Sequence, residues 1–276
     1  METTEQDSGV RVHKCGSWNE FASEVRITRF AGWRVFRGQR DVKWKLSSMW
    51  ERWLLRLKGG DPNRSVRDLF SEGAYEKIRD SYLDRFKDYA IGLPKFSSVN
   101  LNNDKDWWAL GRHHGLITPL LDWTKSPYIA AFFAFISYAE YLNPGLKFGS
   151  EPVAVWELVV DDKLLREGEF EVFTSLVDDA YRQKAQQGVF TYLAHDVHVD
   201  LESYLNSRGL GRLLARYEIP GQEMGRALSD LKLMNIAYAS LFPDLDGAAD
   251  QANLWPTLSV LGLSVQVYDK RETGES

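Results

Sequence analysis

The stretch Tyr128–Ile136, YIAAFFAFI, is apolar on nearly every helical face and follows the pair Ser126-Pro127. Ser then Pro is a helix start: the hydroxyl caps the first turn, and Pro sits where no amide hydrogen is needed. A helix that is apolar all round has no solvent side, so the rest of the chain must cover it from several directions. The run is also far short of the ~20 residues that span a bilayer. It therefore reads as the buried central helix of a folded domain. Just ahead of it, Asp122, Thr124 and Ser126 alternate, so on an extended segment they would face one way. They precede a helix N-terminus, where amide hydrogens and the helix dipole favour an anion. Two readings stand: a capped core helix whose Asp122 bonds locally, or the edge of a chemical site.

The remaining chain supplies the cover. SWNEFASEVRI is a short helix with Ser17 as N-cap, and Trp33–Phe36 is a strand running into a polar turn at Arg37–Asp41. The segment from about 47 to 95 is helical in character, with Val66, Leu69, Phe70, Tyr75, Ile78, Tyr82 and Phe86 among charges. DWWALGRHHG is a helix stopped by Gly115. Val153–Val160 alternates and is β-branched, so it is a strand; VFTSLV and GVFTYLA are weaker strands. PGQEMGRALSDLKLMN is an amphipathic helix, FPDLDGAADQANLW a turn leading into a short helix, and TLSVLGLSVQVYD a final strand or loop. The expected class is α+β: a short-stranded mixed or antiparallel sheet packed by helices around the buried central one. Residues 1–16 read as a mobile N-terminal tail, and residues 17–276 as a single domain whose helical segment 47–95 is a candidate lobe.

The net charge of −5 argues against broad nucleic-acid binding. With one cysteine, Cys15, no intrachain disulfide can form, which fits a reducing compartment. The first residues carry no apolar signal core, so a cytoplasmic protein with no membrane association is expected.

Few residues offer chemistry by pattern alone. FRGQRD sets Arg37 and Arg40 just beyond a strand with Gly38 between; Gly permits close backbone approach, and an Arg fork fits phosphate or carboxylate. From pattern alone a surface ion pair after a strand is the commoner meaning of such a turn. His113-His114 and His195/His198 lack the spacing and carboxylate of a metal site, so no metal is expected. FPDLDG is half a calcium loop and reads as a turn.

FRGQ at 36–39, Trp44 and Leu46, then HHGLITPLLDWTKSPYIAAFFAF from His113, resemble the FRG domain, a bacterial family named after its Phe-Arg-Gly motif. Arg182, Gln186, Gly188 and Phe190 continue the family pattern, and SLFPDLDGAA at 240–249 closes it, so the resemblance runs over roughly 17–254. The departures are Arg112 where the family has Gln, His114 for Tyr, and Pro119 for Arg; Arg112 stands where it could supply the missing guanidinium from a neighbouring position. The resemblance implies a bacterial setting of phage defence or toxin systems.

The order of motifs is also similar to the ADP-ribosyltransferase plan, and that likeness implies roles. Arg37 would hold a phosphate or ribose of NAD, which enters as substrate with no cofactor required. Asp122 would support the site, and Gln186 would take the late position that bonds the ribose, with Glu157 and Glu202 as competitors. Gln39, Arg40, His113, Thr118, Trp123, Thr124 and Ser126 would bind substrate. The implied partners are a small-molecule nucleotide, a protein acceptor, and an antitoxin or defence component. A Gln cannot supply the charge of a Glu, so the alternative is a non-catalytic nucleotide- or sugar-binding module. In a third, structural reading, Arg37 pairs with Asp122 in the interior and Trp123 fills the core.

Overall fold

The computed structural model describes residues 1–6, 9–27, 33–59, 66–71, 73–93, 101, 103–141, 151–165, 169–174, 180–193 and 200–260. Its strands are β1 (Glu2–Glu5), β2 (Arg11–Lys14), β3 (Trp33–Gln39), β4 (Leu120–Thr124), β5 (Pro152–Val160), β6 (Phe170–Phe173), β7 (Gly188–Leu193) and β8 (Leu214–Pro220). They form one mixed sheet in the order β1-β2-β8-β5-β3-β4-β7-β6. The helices are α1 (Trp18–Ile27), α2 (Met49–Leu57), α3 (Ala74–Ala90), α4 (Asp104–His113), α5 (Pro127–Tyr141), α6 (Asp162–Leu165), α7 (Ala180–Ala185), α8 (Leu201–Ser207), α9 (Met224–Leu233), α10 (Tyr238–Leu241) and α11 (Leu245–Val260). The architecture is α+β, a sheet packed by helices, as the patterning implies.

α5 is the central helix. Ile129, Ala130, Phe132, Ala134 and Phe135 are buried in one cluster with Trp18 and Phe21 of α1, Val153 and Val155 of β5, and Leu228 and Leu231 of α9. Its start is as expected: the Ile129 amide donates to Ser126 Oγ at 3.3 Å. Gly38 lets β3 lie on this helix, because a Cβ there would stand 1.9 Å from the Ala130 carbonyl oxygen. The other face of the sheet buries Val35, Trp123, Trp156, Leu158, Tyr204 and Leu205. Beside it, the rings of Trp50, Tyr82 and Trp108 of α2, α3 and α4 pack together, Tyr82 stacked on Trp108.

Several expectations are corrected. Residues 2–14, expected within a mobile tail, supply β1 and β2; β2 pairs in parallel with β8, Val12 opposite Arg216, and His13 stacks on Tyr217 at 4.8 Å. Four-residue strands carry too little periodicity to stand out; β2 is held by the edge that β8 offers, and β1 by β2. β8 itself, LARYEIP, was not anticipated. β3 continues to Gln39, so the FRG residues lie inside a strand and not in a turn. The last helix is longer than expected and runs through Pro256 to Val260, taking in the first residues of TLSVLGLSVQVYD. The remainder of that stretch, FSSVN, the end of VFTSLV, and His195 and His198 lie outside the described residues.

Candidate functional site

β3 and β4 share a single rung, Phe36 opposite Thr124, whereas β3 pairs with β5 along its whole length. Beyond that rung the two strands diverge. A cleft of about 550 Å³ is lined by Arg37 and Gly38 on one side and Asp122 and Trp123 on the other. α4 adds Arg112 and His113, α5 adds Phe133, α7 adds Arg182 and Gln183, and Gln186, Phe190 and Phe242 complete the wall. The sequence stretches that converge here are far apart in the chain, and the sheet order is what joins them.

The charged end is built around Asp122. Arg112 grips its carboxylate with two bonds, Nε to Oδ1 at 3.2 Å and Nη2 to Oδ2 at 2.8 Å. Arg37 donates from Nη1 to the Asp122 carbonyl at 2.7 Å and lies 3.8 Å from its Oδ2. The group is open to the cleft: the Asp122 side chain is 42% exposed and that of Arg112 26%. Burial raises the Asp122 carboxyl, but the Arg112 fork, Arg37 and His113 together outweigh it, so the group sits below its ordinary range. Burial lowers the Arg37 guanidinium to about 10, with Asp122 opposing and Arg52 and Arg112 adding to the fall. Arg112 moves up because it faces Asp122.

The aromatic end is Phe133, Phe190 and Phe242. The Arg182 guanidinium lies over the Phe242 ring at 5.6 Å and pairs with Asp244 and Asp246. Gln186 donates from Nε2 to the Leu241 carbonyl at 3.2 Å. Gln183 lies across Gly188, where a Cβ would come within 3.2 Å of its Cγ.

Of the residues singled out in the sequence, Arg37, His113, Asp122, Trp123, Thr124 and Gln186 line the cleft. Two of these carry structural duties as well. Trp123 is a core residue whose Nε1 donates to Thr191 Oγ1 at 2.9 Å. Thr124 Oγ1 donates to the Gln186 carbonyl at 2.7 Å and accepts from the Ser126 amide at 3.2 Å, so it ties β4 to α7 and α5.

The other four do not reach the cleft. Gln39 accepts from Trp156 Nε1 at 2.9 Å and donates to the Lys45 carbonyl at 3.2 Å. Arg40 stacks over Trp44 at 4.5 Å. Thr118 is fully buried, and its carbonyl accepts from the Trp50 amide. Ser126 caps α5. Glu157, a competitor for the late position, is buried against Arg34 and accepts from Tyr217 Oη, and neither it nor Glu202 lines the cleft.

Arg182, Gln183, Phe133 and Phe242 were not assigned to a site in advance. The signal for the first was the Arg182/Gln186 spacing of four, which sets both on one side of a helical turn. FPDLDG is the turn whose Asp244 pairs with Arg182. Among the described residues, no cluster of His, Cys, Asp and Glu could hold a metal, and no helix is long and apolar enough to cross a membrane.

The family model of the FRG domain matches residues 33–141, and over that span the chain is similar to this family. That span contributes Arg37, Arg112, His113 and Asp122; Arg182, Gln183, Gln186 and Phe242 lie beyond it and close the cleft. No curated protein and no solved structure matches the chain.

Proposed function

We propose that this FRG-domain-like chain binds a nucleotide in the cleft between β3 and β4 and cleaves NAD there, as an ADP-ribosyltransferase-like enzyme or as an NAD glycohydrolase. The observation that carries the reading is the meeting of Arg37, Arg112, Asp122 and Gln186 in one open cleft with aromatic walls. Guanidinium forks fit phosphate oxygens, Phe rings fit a flat base, and a volume of about 550 Å³ is within the range of small-molecule sites. The cleft lining is net cationic in a chain of net charge −5, which favours an anionic ligand over a neutral one.

In this reading Arg37 holds a phosphate. The glycosidic C–N bond breaks with its electron pair leaving on nicotinamide, and the ribose carbon becomes cationic. Asp122, the carboxylate beside Arg37, stabilises that charge. Water or an acceptor nucleophile then adds to the carbon and gives up its proton to solvent or to Asp122. In a bacterial defence or toxin setting the acceptor would be a protein, and a partner would hold the activity in check.

A second reading, a nucleotide- or sugar-binding module without turnover, is favoured by one observation. The Asp122 carboxylate is held by Arg112, and the Gln186 amide is spent on a backbone carbonyl. The experiment is to incubate the chain with NAD and follow nicotinamide by chromatography, comparing wild type with Arg37→Ala. Release by wild type alone supports the enzyme. Binding without release supports the module, and neither binding nor release at millimolar NAD overturns both.

A further inference from the structure

Arg112 and Arg37 bring more donors to the charged end than the protein accepts. Among the described residues, Arg112 Nη1 meets only the thioether of Met49, at 3.6 Å, and a thioether is a weak acceptor. Arg37 Nε is buried and has no acceptor among the described residues. Arg52 adds a third guanidinium close enough to be felt by both, and it donates to the Ser47 carbonyl. Two guanidiniums thus meet one carboxylate, Arg112 in a fork and Arg37 at 3.8 Å, with His113 beside it and the charge of Arg52 further off. The pairing is a fork on a planar, two-oxygen anion, the geometry that also suits phosphate. It is reached without opening the core, because both Arg112 and Asp122 are partly exposed to the cleft.

We propose that the Asp122 carboxylate is an internal stand-in for the phosphoryl groups of the ligand, and that a pyrophosphate displaces it from the Arg112 fork. The proposal rests on the nucleotide reading of the cleft and deepens it: Arg112 becomes a ligand-binding residue, and ligand binding itself releases Asp122. Exchange of a singly charged carboxylate for a more highly charged phosphoryl group also answers the surplus of positive charge. The carboxylate is then free only when the phosphates are seated, so an empty site keeps its one acid neutralised. The same exchange removes the objection that Asp122 is occupied, since the occupied state is that of the empty cleft.

The probes are inorganic pyrophosphate and ADP-ribose, titrated by calorimetry into wild type, Arg112→Gln, Asp122→Asn and the double variant. Competition predicts that Asp122→Asn binds pyrophosphate roughly tenfold more tightly than wild type and that Arg112→Gln binds it at least tenfold more weakly. In the double variant the gain from Asp122→Asn disappears, because the fork for which the carboxylate competed is gone. Equal or weaker binding by folded Asp122→Asn overturns the exchange while leaving the nucleotide reading intact. Failure of every form to bind either probe overturns that reading and the exchange with it.

A measurement on wild type alone avoids dependence on variant folding. The Asp122 carboxyl carbon is followed by NMR against pH, with and without saturating pyrophosphate. Exchange moves its titration up toward the ordinary carboxylate range, because the Arg112 fork has left it. A titration that stays put, or falls, in the complex refutes the exchange.

Discussion

Glu51 gives the most quantitative test of the physics of this fold. It lies in the first turn of α2, where its Oε2 accepts from the Ser48 amide at 2.6 Å and its own amide donates to Ser48 Oγ at 3.2 Å. The residue is only 8% exposed. Burial pushes its carboxyl from 4.5 up to about 7, against the two Ser48 bonds; Asp200 raises it further and Arg52 lowers it. The folded state therefore holds this proton more tightly than the unfolded chain does. The stabilisation is fully present below about pH 4.5 and is lost as pH rises through about 7. At 1.36 kcal/mol per unit, a shift of this size corresponds to about 3 kcal/mol, most of it falling between pH 5 and 8.

Glu51→Gln keeps an acceptor for the Ser48 amide and removes the titration. Urea unfolding at pH 5 and pH 8.5 should show the variant gaining on wild type by about 2–3 kcal/mol across that window. A gap that does not grow with pH, or one that grows in favour of wild type, would refute the argument that burial dominates at this carboxyl. The result bears on the cleft, since the charge of Glu51 is felt by Arg52, and that of Arg52 by Arg37.

Two further substitutions test the frame of the site. Gly38→Ala places a methyl 1.9 Å from the Ala130 carbonyl oxygen and 2.7 Å from the Ala134 amide nitrogen, both backbone atoms that cannot swing aside. It should cost about 3 kcal/mol or more, by the overpacking scale, and ligand affinity should fall with it; a melting temperature unchanged within a degree would refute the close approach of β3 to α5. Ser126→Ala removes the cap of α5 and should cost about 1 kcal/mol in chemical unfolding. Its affinity for ADP-ribose should match wild type, and a large loss of affinity would return Ser126 to the binding residues.

The sequence alone was enough to determine α5: a Ser-Pro start and an apolar surface on nearly every face admit only a buried helix. Gly115, with φ of 86°, ends the helix before β4 as its position suggested. β5 was equally legible, because nine consecutive strand residues carry their own pattern. The pairing of motifs also pointed to Arg37 and Asp122 as neighbours. The partner that grips the Asp122 carboxylate, Arg112, was only a candidate replacement in the sequence, and the fork geometry came with the fold.

What tertiary structure decided is of a different kind. β2 is a strand because β8, two hundred residues later, presents an edge to it, and β1 in turn pairs with β2. Gln39, Thr118 and Ser126 share motifs with Arg37 and Asp122, yet the bonds of Gln39 to Trp156 and Lys45, the burial of Thr118 and the capping of α5 by Ser126 hold their side chains elsewhere. Arg182 and Phe242 join the cleft across more than a hundred residues from Arg37, through the sheet order that sets β7 beside β4. Local sequence sets which backbone conformation a segment prefers, whereas register and strand order depend on long-range burial and hydrogen bonding. The site of this protein is made where two neighbouring strands share one rung and part, and no short stretch of either strand encodes that.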